Sequence, residues 1–286
     1  MSELTTNLAQ LVQVGVGGRV SHPGQSGSYS ISYDDRPTML PGMAGVTSNI
    51  RVGDSVFAFA CDHGEPGVSA EGLVEREHLA IQVLACVGNR VTMTSGEAKG
   101  AVGTVVGKHA YVLIDFPGVD LMRITPGDGL VVRAWGQGLL LTEFPQVAVR
   151  NCGPELLSRL GCEPAPDGRL RVPVVATLPA ELMGAGLGMS AEWANCDVML
   201  HASETVSNLG LSGLRIGDVV GMADQDHRFA RGYAPGWTAV GVLAHAMGPT
   251  PGHGVGVVTI LTAPNECLEL NRAPERNLRD LLEIPL

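Results

Sequence analysis

The chain has few charged and few aromatic residues, and one sign of charge dominates. Of its 286 residues, 17% are charged, 4% are aromatic and 45% are hydrophobic. Disordered chains combine low hydrophobicity with high charge, so this balance predicts a folded protein. The formal net charge is −10 and the sequence contains no stripe of Lys and Arg. Because such a chain repels phosphate backbones, we expect no nucleic-acid partner.

Long hydrophobic runs and paired cysteine motifs are also missing. No apolar run reaches the length of a membrane helix, and the first residues do not follow the pattern of a signal peptide. The six cysteines are scattered without CxxC spacing, which favours free thiols in a reducing compartment. We therefore expect a cytoplasmic protein with no membrane partner.

Glycine and proline, by contrast, are abundant, with 38 and 18 residues. They separate short apolar runs such as "GLVVRAW" and "VGVVTIL", which is typical of many strands joined by tight turns. The pattern predicts a mainly β (α+β) fold. We expect two β-rich barrel- or sandwich-like halves with a few short helices, an N-terminal domain over 1–148 and a C-terminal domain over 149–286.

A few segments have helical patterns. The N-terminal half contains one longer helix near 74–87, with Ser69 as a candidate cap and an apolar stripe that includes Leu79 and Val83. Shorter helices are predicted over 153–161, 203–210 and 274–284. The last of these is too short to be stable alone. It could dock on its own domain or bury a subunit edge, and on the second interpretation we expect a homo-oligomer.

One strand-like run occurs twice. "RVGDSVFAFACDH" (51–63) aligns without a gap on "RIGDVVGMADQDH" (215–227), and a weaker third copy in "ITPGDGLVVRAWGQ" (124–137) lacks the Asp-His ending. Ancient duplication and convergent barrel geometry explain this equally well. In either case we expect matching turns from two related halves to bring His63 and His227 to one pocket, since pockets favour domain interfaces.

Histidines in Gly/Pro-rich turns are the main chemical signal, because loops on a rigid scaffold often carry function and His titrates near neutral pH. The candidate catalytic residues are His63, His227, Asp62, Asp226 and Glu65. In this hypothesis the two histidines move protons, the aspartates orient them or bind a metal, and Glu65 assists. The candidate substrate-binding residues, some of them in a glycine turn that could hold an anion, are His22, His253, Gly252, Gly254 and Lys99. Each histidine could also be purely structural.

The sequence does not specify a cofactor. A divalent metal could be held by imidazole and carboxylate, but HxxxH, HxH and HExxH spacings are missing, so its ligands would come from distant loops. Nucleophilic catalysis has less support, because no Gly-x-Ser-x-Gly elbow exists and Cys61 directly precedes Asp62-His63 in a strand-like run, where neighbouring residues face apart.

Two resemblances add to these patterns. "DHGEPGVS" (62–69), "GNRVTMTSGEAKGAVGTVVGKH" (88–109), "MGAGLG" (183–188), "DQDH" (224–227) and "GHGVGV" (252–257) together resemble a bacterial and archaeal domain-of-unknown-function family, with separately catalogued N- and C-terminal halves. The resemblance implies a mostly β, two-part cytoplasmic protein and supplies no reaction. Within it, "VTMTSGEAKGAVGTVV" resembles the KOW motif of ribosome-associated small barrels.

Three functions remain open. The first is a cytoplasmic enzyme, a hydrolase or lyase, that acts on a small polar metabolite by histidine and carboxylate acid–base chemistry, with or without a metal. The second is a non-catalytic small-molecule binding protein. The third is an RNA-associated barrel protein, which the acidic charge disfavours.

Overall fold

Strands, most of them paired antiparallel, are the main regular structure in the computed structural model, which describes residues 4–24 and 29–285. The strands of the N-terminal half are β1 Val14–Val20, β2 Ser30–Ile31, β3 Pro37–Thr38, β4 Val46–Thr47, β5 Gly67–Glu71, β6 Arg90–Met93, β7 Val102–Lys108, β8 Val112–Asp115 and β9 Gly129–Ala134. Those that follow are β10 Ala148–Val149, β11 Glu163–Pro164, β12 Leu170–Val174, β13 Ala176–Leu178, β14 Cys196–Val198, β15 Val219–Asp226, β16 Gly232–Leu243, β17 Val255–Pro264 and β18 Leu268–Arg272. The helices are α1 Glu75–Leu84, α2 Gly118–Leu121, α3 Pro154–Arg159, α4 Ser203–Asn208 and α5 Leu278–Leu281, with 3-10 turns at Leu8–Gln10 and Ala180–Leu182.

The N-terminal half is a closed six-stranded barrel. Its strands follow the order β1-β9-β6-β7-β8-β5, and β5 pairs back with β1 to close the ring. Closure leaves no unpaired edge within the ring, and β4 is added outside it on β5. The KOW-like segment forms the β6–β7 hairpin of this barrel. The mainly β fold predicted from the glycine and proline pattern is confirmed.

The second half is built on a six-stranded sheet that is mostly antiparallel. It has the order β10-β17-β16-β15-β13, with β14 also paired to β17, and a three-stranded sheet β11-β12-β18 lies beside it. Strand β17 is buried along nearly its whole length, which explains its continuous apolar sequence. One apolar core joins the two halves, since Val106 and Leu113 of the barrel belong to the same buried cluster as Val240 and Val258 of the sheet.

The three copies of the repeat fold into the same turn. The turn consists of four residues that end in Gly-Asp, and the backbone N–H of the first residue donates to the carboxylate of the Asp. This distance is 2.8 Å for Arg51 and Asp54, 2.8 Å for Arg215 and Asp218, and 2.9 Å for Thr125 and Asp128. The glycines between them have φ of +96°, +89° and +93° in Gly53, Gly217 and Gly127. Glycine adopts this conformation without strain, which is why the turn requires it.

Two of these turns also contact each other. The Gly53 N–H donates to the Ile216 carbonyl at 2.7 Å, and the Ile216 N–H donates to the Asp54 carbonyl at 2.9 Å. Beyond the turns the copies diverge, because residues 219–226 form strand β15 whereas residues 55–63 form a series of turns and bends. The two copies therefore contact each other at their Gly-Asp turns, which joins the halves, and they differ in structure from there to their Asp-His endings.

The predicted helices need three corrections. Helix α1 spans 75–84, and Ser69 lies in β5, where its hydroxyl donates to Glu65 instead of capping a helix. Leu79 and Val83 of the predicted apolar stripe are exposed, whereas Ile81 is buried. Helix α5 covers four residues and its leucines are buried in this chain's own core, so it does not need a second subunit to cover it. Oligomeric assembly stays a prediction that the fold does not test.

Two further observations bear on the composition. All six cysteines are free of disulfides. Within residues 4–24 and 29–285, no helix is both long and apolar enough to span a bilayer.

A buried ammonium group fixes the two halves to each other. Lys108, at the end of β7, is fully buried and donates to the Gln82 carbonyl, to Asn151 Oδ1 at 2.7 Å and to the Glu192 carbonyl at 3.0 Å. Burial lowers the pKa of Lys108 to about 8, so the group stays protonated at neutral pH. Its three N–H donors are therefore all satisfied, by acceptors from both halves.

We expect K108M to lower the free energy of unfolding by about 3 kcal/mol, because it leaves buried oxygens without a donor. Urea unfolding followed by circular dichroism measures this. K99M is the matched control, since Lys99 lies exposed in the β6–β7 turn and should change stability by less than about 0.5 kcal/mol. Equal losses in the two variants would show that the buried contacts do not hold the halves together.

Candidate metal centre

The candidate site is a cluster of imidazoles and carboxylates between the barrel and the second sheet. The histidine cluster consists of His63, His109, His245 and His253. His63 lies in the loop before β5 and His109 directly after β7, whereas His245 follows β16 and His253 precedes β17. The ring of His63 lies with its centroid 5.0–5.3 Å from the other three, and the His109 and His245 centroids are 4.2 Å apart.

Asp197 lies at the centre of this cluster. It is the middle residue of β14 and is 3% exposed. Its Oδ2 lies 3.4 Å from His63 Nε2 and 3.3 Å from His253 Nδ1, and its Oδ1 lies 3.7 Å from His245 Nε2. Burial alone raises the pKa of a carboxyl, but the hydrogen bonds from His253 and His63 outweigh it and hold the pKa of Asp197 well below its usual range.

Asp197 Oδ1 is held by a side chain from the same segment of the chain. Asn195 Nδ2 donates to Asp197 Oδ1 at 2.9 Å and lies 3.1 Å from His245 Nε2. Gly256 faces Asp197 across the β14–β17 pair, and a Cβ there would lie 2.1 Å from His245 Nε2 and 2.5 Å from Asn195 Nδ2. A glycine at 256 therefore makes room for both side chains.

His245 itself is an internal, uncharged partner. Its Nδ1 lies 2.9 Å from the Ala246 carbonyl oxygen, which accepts a hydrogen bond when Nδ1 is protonated. The side chain is fully buried, and burial, together with the neighbouring His109, lowers the pKa of His245 well below its usual range. In the tautomer with the proton on Nδ1, Nε2 accepts a hydrogen bond from Asn195.

His63 is held between two carboxylates. Its Nδ1 lies 2.7 Å from Asp62 Oδ1, and its Nε2 faces Asp197. Burial lowers the pKa of His63, but the interactions with Asp197 and Asp62 are stronger and raise it to about 9. The interaction with His63 in turn lowers the pKa of Asp62. His63 has φ of +61°, a left-handed conformation that costs a non-glycine residue about 1–3 kcal/mol and is often found at functional sites.

Asp62 Oδ1 is buried without an aligned donor. Although it is 2.7 Å from His63 Nδ1, the contact does not meet the angular requirements of a hydrogen bond. A buried acceptor in this state is unusual in a folded protein and calls for an explanation, such as a role in binding or catalysis.

Glu65 and His109 form a second dyad behind His63. His109 Nδ1 and Glu65 Oε1 are 2.7 Å apart. The other carboxylate oxygen accepts from the Ala44 N–H at 2.7 Å and from the Ser69 hydroxyl. The contacts of this buried glutamate therefore connect the loop before β4, strand β5 and the ring of His109.

A cavity of about 490 Å³ opens onto the site. Its lining includes Asp62, His63 and His253, together with Ser30 and Thr38 of the β2–β3 hairpin. This volume is within the range of small-molecule pockets. Residues of both halves therefore line the cavity.

The structure brings together four of the ten residues predicted from sequence. Asp62, His63, Glu65 and His253 lie in the site. Gly252 and Gly254 position the His253 loop. The Gly252 carbonyl accepts from the Ala185 N–H at 2.8 Å, and a Cβ on Gly254 would lie 1.9 Å from the Val198 carbonyl.

The other four residues lie elsewhere. His227 is fully buried, with Nδ1 2.7 Å from Thr259 Oγ1 and Nε2 3.2 Å from Gln225 Oε1, and it does not line the cavity. Burial lowers the pKa of His227 to about 4. Asp226 pairs with Arg228 at 2.8 Å. His22 and Lys99 are exposed and do not line the cavity.

The expected pocket shared by His63 and His227 is therefore absent from the described residues. The physical reason is the divergence after the Gly-Asp turn. Strand β15 carries His227 into the sheet interior, whereas the turns of residues 55–63 bring His63 to the seam between the halves.

Four site residues were not among those predicted: His109, Asn195, Asp197 and His245. Asp197 had a sequence signal, since it is an isolated carboxylate in the apolar run "NCDVML", and a buried Asp is rare unless it is paired. His245 in "LAHAMG" resembles any core histidine, and the sequence alone does not distinguish it.

We expect G254A to destabilise the protein by roughly 2–3 kcal/mol, because its Cβ overlaps the Val198 carbonyl. The control is G252N. Gly252 has φ of +79° with open space around its Cβ position, and Asn tolerates this conformation. Urea midpoints compare the two variants, and a G254A midpoint equal to that of G252N would contradict the close approach.

The comparisons with known proteins agree with this architecture. The domain of unknown function DUF4438, N-terminal, matches residues 29–158, and its C-terminal counterpart matches residues 159–282. The crystal structure of TM1086 is similar with a TM-score of 0.94 and 34% sequence identity, over 98% of this chain and 99% of that one. A search of the curated proteins found no match. The two matches together cover most of the sequence, so the chain belongs to the DUF4438 family.

Proposed function

We propose that this protein is a cytoplasmic metal-dependent enzyme, a hydrolase or lyase, that acts on a small polar metabolite in the 490 Å³ cavity. The observation that carries the proposal is the ligand triad of His63, Asp197 and His253. The distances between its ligand atoms are 3.1 Å for His63 Nε2 and His253 Nδ1, 3.3 Å for His253 and Asp197 Oδ2, and 3.4 Å for His63 and Asp197.

These distances fit one face of a metal's ligand shell. With the metal about 2.1 Å from each atom, they correspond to ligand–metal–ligand angles of roughly 95–110°. Such angles lie between octahedral and tetrahedral geometry. Two imidazoles and one carboxylate on a single face are the ligand set of several transition-metal enzymes and leave the remaining positions open.

The neighbouring residues suit this role. Asp62 contacts Nδ1 of His63, so Nε2 of the same ring is directed at Asp197 and His253. Carboxylate–histidine pairs of this kind orient metal-binding imidazoles. Asn195 holds Oδ1 of Asp197, so Oδ2 remains directed at the two histidines. All three ligand side chains are thus fixed by contacts outside the triad or by a constrained loop.

A metal bound here would act as a Lewis acid on a substrate oxygen or a water molecule. The chain itself would supply the remaining steps. Asp62 lines the cavity beside the triad, and its carboxylate, whose pKa is lowered by His63, can accept a proton from the substrate. The His109–Glu65 dyad supports the ring of His63 from behind.

We expect the purified chain to bind about one divalent metal ion per molecule, measured by mass spectrometry of the metal content after dialysis. H253A and D197N should each lower the affinity by a hundredfold or more, about 3 kcal/mol, because each removes a ligand. H22A is the matched control, since His22 is exposed and outside the site. Unchanged metal content in H253A and D197N would contradict the centre.

Activity separates an enzyme from a binding protein. A chelator should abolish turnover of the substrate, and added metal should restore it in wild type and H22A but not in D197N. A chain that binds the ligand in the presence of metal but never converts it would be a non-catalytic binding protein instead.

D62N should lower metal affinity by about 10- to 100-fold while leaving the stoichiometry at saturation unchanged, because Asp62 orients a ligand without being one. Calorimetric titration with Co²⁺ or Zn²⁺ measures the affinity. D226N is the matched control, because Asp226 pairs with Arg228 away from the site. An affinity equal to that of wild type would exclude Asp62 from positioning His63.

A further inference from the structure

The cavity beside the triad contains hydroxyls and a carboxylate but no cationic side chain of Lys or Arg among the residues described there. Besides Asp62, His63 and His253, the described lining includes four hydroxyl-bearing residues, Tyr29, Ser30, Thr38 and Thr250. The apolar residues Leu40 and Met43 also line it.

Arg36, the cation carried by the β2–β3 hairpin, is also unsuited to binding an anion in this cavity. Arg36 lies in the turn between β2 and β3, where its guanidinium pairs with Asp34 at 3.0 Å and is largely exposed. It does not line the cavity. Sites that recognise phosphate or carboxylate typically use Arg, Lys or a helix N-terminus, and the described lining provides none of these side chains.

The charges around the triad also disfavour an anionic ligand. A divalent metal held by Asp197 would keep one net positive charge, and the Asp62 carboxylate, which lines the cavity and lies 2.7 Å from His63 Nδ1, offsets it at close range. The cavity would then be close to neutral. An anionic ligand would face Asp62 directly and would gain little from the metal, since like charges repel across a poorly solvated cavity.

The open positions of a facial triad lie next to each other, so two neighbouring oxygens of one molecule can bind there together. Hydroxyl side chains donate and accept hydrogen bonds, which matches a ligand that is itself rich in hydroxyls. The carbon skeleton of such a ligand would pack on Leu40 and Met43.

We infer that the site takes an uncharged, hydroxyl-rich small molecule of the sugar or polyol class, and discriminates against its carboxylated and phosphorylated counterparts. Asp62 is the residue that sets this charge preference, and vicinal oxygens of the ligand bind at the triad. The inference rests on the proposed metal centre.

The test uses the full-length protein loaded with Co²⁺ and sets of probes that share one skeleton. Uncharged pentoses, hexoses and their alditols are compared with the matching aldonates and phosphate esters, and binding is followed by the visible spectrum of the metal and by calorimetry. At least one uncharged skeleton should bind about tenfold or more tightly than its charged counterparts. Tighter binding of the charged members, or no binding of any uncharged member to the loaded protein, would overturn the inference.

A charge variant tests the role given to Asp62. D62N at saturating Co²⁺ should shift the preference towards the aldonate by about tenfold relative to the uncharged partner, because a repelling charge is removed. D226N should leave the ratio unchanged. A ratio that D62N does not move would overturn the role of Asp62, and failure of the protein to bind Co²⁺ at all would contradict the metal centre instead.

Discussion

The structure of the site depends on compensating one buried carboxylate. Asp197 is almost inaccessible to water, and an ionised carboxylate in that position is costly unless it is paired and hydrogen-bonded. His63, His253 and Asn195 provide this compensation, and they reach Asp197 from three different segments of the chain. The requirement explains why the seam between the halves is polar, although one apolar core runs through both of them.

The same requirement fixes several backbone features. Gly256 leaves space for Asn195 and His245, Gly254 lets the His253 loop approach Val198, and His63 adopts a left-handed conformation. Each of these features places a donor near Asp197. One strained residue and two close backbone approaches therefore lie where the metal ligands are proposed to lie.

Much of the fold was predictable from local patterns, and much of the site was not. Gly and Pro between short apolar runs predicted the strands, and Pro154 with Gly161 predicted α3. Gly-rich turns also led to His63, Glu65 and His253. Asp197 was missed because its partners come from loops far away in sequence, and their meeting depends on the pairing of β14 with β17. The position of His227 was predicted wrongly because the copies of the repeat share only the Gly-Asp turn. The structure of the residues that follow the turn depends on whether they join a sheet.

The most direct measurement of the central claim is anomalous diffraction from crystals soaked with Co²⁺ or Zn²⁺, recorded on both sides of the metal's absorption edge. We expect one anomalous peak about 2.0–2.2 Å from His63 Nε2, His253 Nδ1 and Asp197 Oδ2. A well-diffracting, fully soaked crystal with no peak among these three atoms, or with its peak at other residues, would contradict the metal centre.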